Sequence, residues 1–167
     1  MAADGDLLAS FWFGVRITGQ GRSVDAAFQE VSGLSQEMAI EEVASGGENR
    51  FSYRLPGRTR YPNLVLRRGV AAAESPLVEW CQTTLDGGLG RPLQVKNLSV
   101  SLFDASGRPS LSWSFVKAYP VKWSMSELSA QDNRLLIETI ELAYQYFEAD
   151  DARTEQYADI ASLFKGA

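Results

Sequence analysis

Alternation of apolar and polar positions dominates this chain. In FWFGVRI, Phe11, Phe13, Val15 and Ile17 recur at every second position and so share one face of a strand. Phe51, Tyr53 and Leu55 alternate with Ser52 and Arg54, and Leu98, Val100 and Leu102 repeat the pattern. In SLSWSFV, Leu111, Trp113 and Phe115 face one way, with Ser112 and Ser114 opposite. Leu93 and Val95 have the other phase, which predicts a bulge near Lys96 and Asn97. Turn residues separate the runs: Gly46-Gly47 at a hairpin tip, Asp104 to Gly107 between two strands, and Pro56-Gly57 as a turn dipeptide.

Helix signals are fewer. Ser75 is a candidate N-cap with Pro76 at the first helical position; Leu77, Trp80, Cys81 and Leu85 then recur at helix spacing until Gly87-Gly88 stops the run. Tyr157, Ile160, Ala161 and Phe164 predict a second, short amphipathic helix. The segment NRLLIETIELAYQYF is two-sided. Leu136, Ile137, Ile140, Ala143, Tyr144 and Phe147 fit helix spacing, whereas strand alternation fits only in two halves with a slip near Glu138.

Composition narrows the chemistry. The 167 residues suit one domain with a real core, and 45% hydrophobic content is that of a globular protein. No apolar run reaches the length of a membrane span, and the N-terminal MAADGDLLASFWFG has neither the basic region nor the apolar region of a secretory signal. The single cysteine, Cys81, excludes an intramolecular disulfide and suits a reducing compartment; on the apolar face of its helix it reads as a buried structural thiol. Histidine is absent, which removes the commonest general base and the commonest zinc ligand. Neighbouring acids such as Glu41 and Glu42 point to opposite faces of a strand and do not form a catalytic pair. Gly-Gln-Gly at 19–21 lacks the Lys-Ser/Thr of a phosphate loop. The reading is of a non-enzyme without metal or cofactor.

Charge is the remaining clue. Residues 50–69 hold six arginines (Arg50, Arg54, Arg58, Arg60, Arg67 and Arg68) and no acid, although the whole chain carries −5. Nucleic acid would use these arginines for phosphates and Tyr53 and Tyr61 for stacking, but the chain is acidic and no binding motif accompanies the patch. A charged strand edge guarded against aggregation is a second reading. A third comes from residues 127–159, where nine acids face two arginines. Opposite charge in two parts of one chain favours a heterologous contact between copies, the kind that closes into rings or runs on as filaments.

Several motifs in order resemble one family. These are AFQEVSGLSQE (27–37), IEEVASGGEN (40–49), RLPGRTRYPNLVLRRGV (54–70), LVEW (77–80), WSFVKAYPVKWS (113–124) and LLIETIELA (135–143). Over roughly residues 11–147 the chain resembles the tail tube proteins of contractile phage tails and phage-like contractile injection systems. The resemblance implies a mainly β fold: two packed antiparallel sheets forming a barrel-like body with one flanking helix. It makes residues 1–148 the tube domain and 149–167 a C-terminal extension, helical by its periodicity. It also reads the 133–147 segment as a strand, against the helical spacing.

The function it implies is structural. Six subunits form a ring, rings stack into a hollow tube, and sheath contraction drives the tube through a target envelope. Implied partners are other copies of itself, a sheath protein, baseplate and spike adaptor proteins, a tape measure and a terminal cap. The lumen holds protein cargo or phage DNA, assembly takes place in the bacterial cytoplasm, and there is no membrane anchor. The 40–60 region becomes a hairpin and loop that reaches the adjacent ring. Assembly contacts are then expected at Glu41, Glu42, Glu48, Arg50, Arg54, Arg58, Arg60, Tyr61, Arg67, Trp123, Glu138 and Glu141. Two alternatives stay open, a secreted ring protein of the type VI kind and a monomeric ligand-binding β-barrel. The extension is open too: it packs on the tube exterior, plugs the lumen entrance or marks a specialised ring near the baseplate.

Overall fold

The alternating runs form strands in a computed structural model that describes residues 11–19, 25–70, 75–126 and 136–150. In chain order they are β1 (Trp12–Ile17), β2 (Asp25–Phe28), β3 (Glu30–Ser32), β4 (Glu37–Val43), β5 (Tyr53–Arg60) and β6 (Leu64–Gly69). The helix α1 (Pro76–Gly87) follows, then β7 (Lys96–Phe103), β8 (Pro109–Met125), β9 (Ile137–Ala143) and β10 (Tyr146–Asp150). Eight strands make one antiparallel sheet in the order β2-β1-β7-β8-β9-β6-β3, with β10 also paired to β8. Only Gln29 separates β2 from β3, and its amide donates to the Arg67 carbonyl at 2.9 Å. One short run therefore lies on β1 at one edge and on β6 at the other, so the sheet curls back on itself.

β8 joins the two halves. Residues before Lys117 pair with β7 and β10, and residues from Tyr119 onward pair with β9. Lys117 has φ 51, the left-handed region that a side chain enters at a cost. Its amide donates to Asn97 Oδ1 at 2.9 Å, which satisfies a group that the bulge removes from the ladder. The register shift between Lys96 and Leu98 sits where the change of phase predicts it.

The inner face of the sheet carries the core. Val15, Leu98, Val100, Phe115, Ile140, Leu142, Leu64 and Leu66 are buried there, with Phe28 and Phe147. Full burial of each such side chain contributes roughly 1.5–3 kcal/mol. Helix α1 adds Leu77, Trp80 and Cys81 to this cluster, while Leu85, on the same predicted stripe, turns out to be exposed. Ser75 Oγ accepts from the Val78 amide at 3.3 Å, as its capping role requires, and Gly88 at φ 48 ends the helix. Trp80 Nε1–H donates to the Gln94 carbonyl at 3.1 Å and Lys96 Nζ lies 5.2 Å from its ring centroid, so the loop after α1 is fastened to the helix.

The two-sided segment is a strand. β9 lies between β8 and β6 and bonds to both, which a helix there would leave unpaired. Glu138, Ile140 and Leu142 are its buried alternate residues. The chain breaks step at Tyr144 and Gln145 before continuing along β8 as β10, and that break resets the phase and imitates helix spacing. Pro56-Gly57, expected as a turn, lies inside β5 instead. The register shifts there by one residue, opposite the stretch from Met38 to Ile40. Gly57 suits the site because an added Cβ would crowd the Ala39 carbonyl oxygen at 3.0 Å, and Pro56 is tolerated because, among the described residues, β5 pairs on one side only. The strand β10 runs through Asp150, and the helix predicted over 157–164 lies outside the described residues.

Candidate assembly surfaces

The hairpin of β4 and β5 stands apart as its own two-stranded sheet. Val43 faces Tyr53 and Glu41 faces Leu55, so Phe51, Tyr53, Leu55 and Val43 share one side. These four are 53%, 50%, 48% and 40% exposed, which is why their alternation did not mark core. Phe51 and Tyr53 pack edge to face at 5.4 Å. An isolated two-stranded hairpin is marginal in water. This one gains little from its own subunit, since none of its residues belongs to the core cluster.

Its charges are first met within the hairpin. Residues 37–60 hold Glu37, Glu41, Glu42 and Glu48 against Arg50, Arg54, Arg58 and Arg60, so the folded hairpin is balanced where its second half alone looked basic. Arg50 clasps Glu48 at 2.9 Å, and Arg54 approaches Glu42 at 3.8 Å across the strands. Arg58 and Arg60 form no ion pair among the described residues. The Arg50 side chain, then its backbone amide, hold the Glu48 carboxyl below the usual glutamate range. The clasp therefore stabilises the tip above the ordinary pKa of about 4.3, and that contribution is lost as pH falls through the lower folded value. In an NMR titration the Glu48 midpoint is expected below that of a model peptide, and Arg50→Ala should return it.

The other expected contact residues divide by face. Arg67 and Arg68 are neighbours on β6 and point to opposite sides. Arg67 is exposed and pairs with Glu30 on β3 at 3.2 Å. Arg68 is 5% exposed; its Nε donates to Glu138 Oε2 at 2.7 Å, and its guanidinium carbon lies 4.9 Å from the Phe28 ring centroid. Trp123 Nε1–H donates to the other oxygen, Glu138 Oε1, at 2.8 Å. Thus Glu138 and Trp123 are occupied inside the subunit, in a lock that joins β6, β9 and β8. Sequence reasoning missed Arg68 as their partner. The signal existed, because Arg68 lies directly opposite Glu138 in the ladder, but it could be read only once β6 was known to pair with β9. Tyr61 turns inward at the hairpin's base, 6.0 Å from Tyr144 and 5.8 Å from Phe147 between ring centroids. Burial, with Tyr61 beside it, pushes the Tyr144 phenol up. Glu141 points outward and pairs with Lys122 at 3.6 Å.

Two stretches of sheet keep one side open among the described residues. There β8 from Tyr119 to Met125 bonds only to β9, and β10 bonds only to β8. They lie on opposite flanks of the same strand pair, so one molecule presents two different open edges. Such edges carry unpaired amides and carbonyls and template pairing with another chain. Among the described residues no cluster of three or more His, Cys, Asp or Glu is placed to hold a metal ion, and no helix is long and apolar enough to cross a membrane.

Comparison with known proteins gives a consistent result. The family model for T4-like virus tail tube protein gp19 matches residues 9–148. A protein in the six-fold symmetrised cryo-EM structure of the anti-feeding prophage (AFP) baseplate is 30% identical, with TM-score 0.69, covering 92% of this chain and 99% of that one. A chain of the sheath–tube complex of an extracellular contractile injection system, PVC, in its extended state is 21% identical, with TM-score 0.67 and coverage of 84% and 88%. Hcp1 from Flavobacterium johnsoniae shares the fold at 17% identity, TM-score 0.53 and coverage of 84% and 96%. No curated protein matches.

Proposed function

Since this chain belongs to the T4-like virus tail tube protein family and is a structural tube subunit, we propose that six copies form a ring and that rings stack into the inner tube of a contractile particle. The single observation behind this reading is the pair of dissimilar open edges, β8 from Tyr119 to Met125 and β10. Edges on opposite flanks let each subunit join the next by strand pairing, and a closed ring leaves neither exposed. The exposed hairpin then supplies contacts between rings. Glu41, Glu42, Arg54, Arg58 and Arg60 lie on it with free access to a neighbour. Arg67 and Glu141 lie on the outward face of the sheet. Surface ion pairs of this kind give about 0–1 kcal/mol each, so the tube relies on repetition around and along it.

The sheath, the baseplate and spike adaptors, the tape measure and the terminal cap are the partners that this role requires, with protein cargo or phage DNA in the lumen and assembly in the bacterial cytoplasm. Electron microscopy of the purified protein tests the core of the reading. Six-membered rings and tubes are expected. Changing Arg50, Arg54 and Arg58 together to Glu should shorten or abolish tubes while circular dichroism shows a folded subunit. A monodisperse monomer at high concentration, by light scattering, would end the reading. Rings that never elongate would favour the secreted-ring alternative.

A further inference from the structure

Where β1, β7, β8 and β10 lie side by side, the outward face of the sheet is built from small residues and one aromatic pair. Val15, Leu98, Val100, Phe115 and Phe147 point into the core, so the residues between them point outward. Gly14 lies opposite Ser101, while Ser99 and Ser101 lie opposite Ser114 and Ser112. These small residues make a shallow floor. The Ser101 and Ser112 hydroxyls share a hydrogen bond at 2.9 Å, and Ser114 Oγ donates to Asp150 Oδ2 at 3.0 Å. At one end of the floor Trp12 and Phe103 stand opposite each other and stack, with ring centroids 4.2 Å apart. Both are part-exposed, and neither packs against the core cluster. We propose that residues 151–167 of the same subunit fold back across this floor and seat Tyr157, Ile160 and Phe164 on the Trp12–Phe103 stack. The proposal goes beyond the tube reading and is independent of it.

The course of the chain supports it. β10 runs antiparallel to β8, with Tyr146 opposite Val116 and Asp150 opposite Ser112. Its direction therefore leads toward Pro109, the residue of β8 that lies opposite Phe103. With strands about 4.8 Å apart and a rise of about 3.3 Å per residue, Asp150 lies roughly 12 Å from Phe103. Residues 151–156, when extended, reach about 20 Å, enough to bring Tyr157 over the stack. The apolar positions Tyr157, Ile160, Ala161 and Phe164 share one helix face about 10 Å long, which matches the two strand spacings from β8 to β1. Covering the floor costs little, because its hydroxyls already bond to one another and to Asp150. Charge follows the same order along the path. Glu148 and Asp150, beside the exit, meet Arg153. Arg16, exposed on the far side and without an ion pair among the described residues, meets Glu155 or Asp159. The segment crosses the face of the sheet, so the open edge of β10 stays free.

Two measurements on the full chain test it. In the first, Phe164 is replaced by photoreactive p-benzoyl-phenylalanine, and isotopically light and heavy copies are mixed and irradiated. Mass spectrometry is expected to find position 164 joined to residues 11–14 or 101–103 of its own copy. Adducts confined to other peptides, or found only between light and heavy copies, would overturn the proposal. In the second, hydroxyl-radical footprinting compares the wild type with the Ile160→Asp, Phe164→Asp double variant, both in the same assembly state by light scattering. Oxidation at Trp12 and Phe103 should rise severalfold, while Trp113, which packs against the core, keeps its rate. Equal oxidation of Trp12 and Phe103 in the two proteins would contradict the proposal, as it would if residues 1–10 were the cover. Neither measurement depends on whether the chain forms rings or tubes.

Discussion

Arg68→Ala is expected to lower the stability of the subunit by about 3–5 kcal/mol, because it leaves a buried carboxylate without its cation. Glu138 is 4% exposed and is held between Arg68 at 2.7 Å and Trp123 at 2.8 Å. Water cannot replace the guanidinium at such a site without opening the junction of β6, β9 and β8. The double replacement Arg68→Met with Glu138→Leu should be much milder, since it removes both charges at once and fills similar volume. Denaturant unfolding of the single and double variants measures this directly. A single variant within about 1 kcal/mol of wild type would mean that the lock contributes little. On the surface the same chemistry behaves differently: Arg67 and Glu30 are both about half exposed, and removing either should be nearly silent.

Replacing residues 39–58 with Asn-Gly should abolish long tubes and leave the subunit folded. Asn-Gly closes a two-residue hairpin between Met38 and Thr59, which already face each other. The deleted stretch contributes nothing to the core cluster, so thermal unfolding should shift by only a few degrees. It does carry Phe51, Tyr53 and Leu55 and three of the arginines, the exposed residues best suited to a partner. Loss of two anchor contacts at about 1.4 kcal/mol each is already a hundredfold in affinity, and stacking multiplies that loss at every ring. Negative-stain micrographs read the outcome. Tubes of ordinary length from the shortened chain would remove the hairpin from assembly.

Much of the fold is legible in the residues, for reasons that are local. Period-two alternation marks β1, β7 and β8, because a strand with one buried face must alternate. Ser75, Pro76 and Gly88 bracket α1, because caps and stops follow from backbone groups that a helix leaves unpaired. The shift of phase before Leu98 betrays the bulge at Asn97 and Lys117. Legibility fails where a residue answers to something distant. Pro56-Gly57 has the chemistry of a turn, yet close approach of Ala39 makes it a bulge within a strand. The alternation of Phe51, Tyr53 and Leu55 is that of a buried face, yet among the described residues all three stay about half exposed.

The candidate surfaces divide in the same way. The arginine-rich stretch stands out in the sequence, but its six members have four in the hairpin, one outward on β6 and one in the core. Alternation puts Arg67 and Arg68 on opposite faces but does not say which face is inside. Likewise the acids of β4 lie too far along the chain to be counted with the arginines of β5, until strand pairing sets Glu42 across from Arg54. By itself the sequence determined the strand-rich class, the helix capped at Ser75 and, through its ordered motifs, the family, since each depends on residue type and short-range spacing. Only the tertiary structure decided which arginine is locked to Glu138, where β9 breaks step before β10, and which edges stay open among the described residues, because pairing between distant segments sets them and no local period records it; that β9 is a strand despite its helical spacing was already implied by the family resemblance.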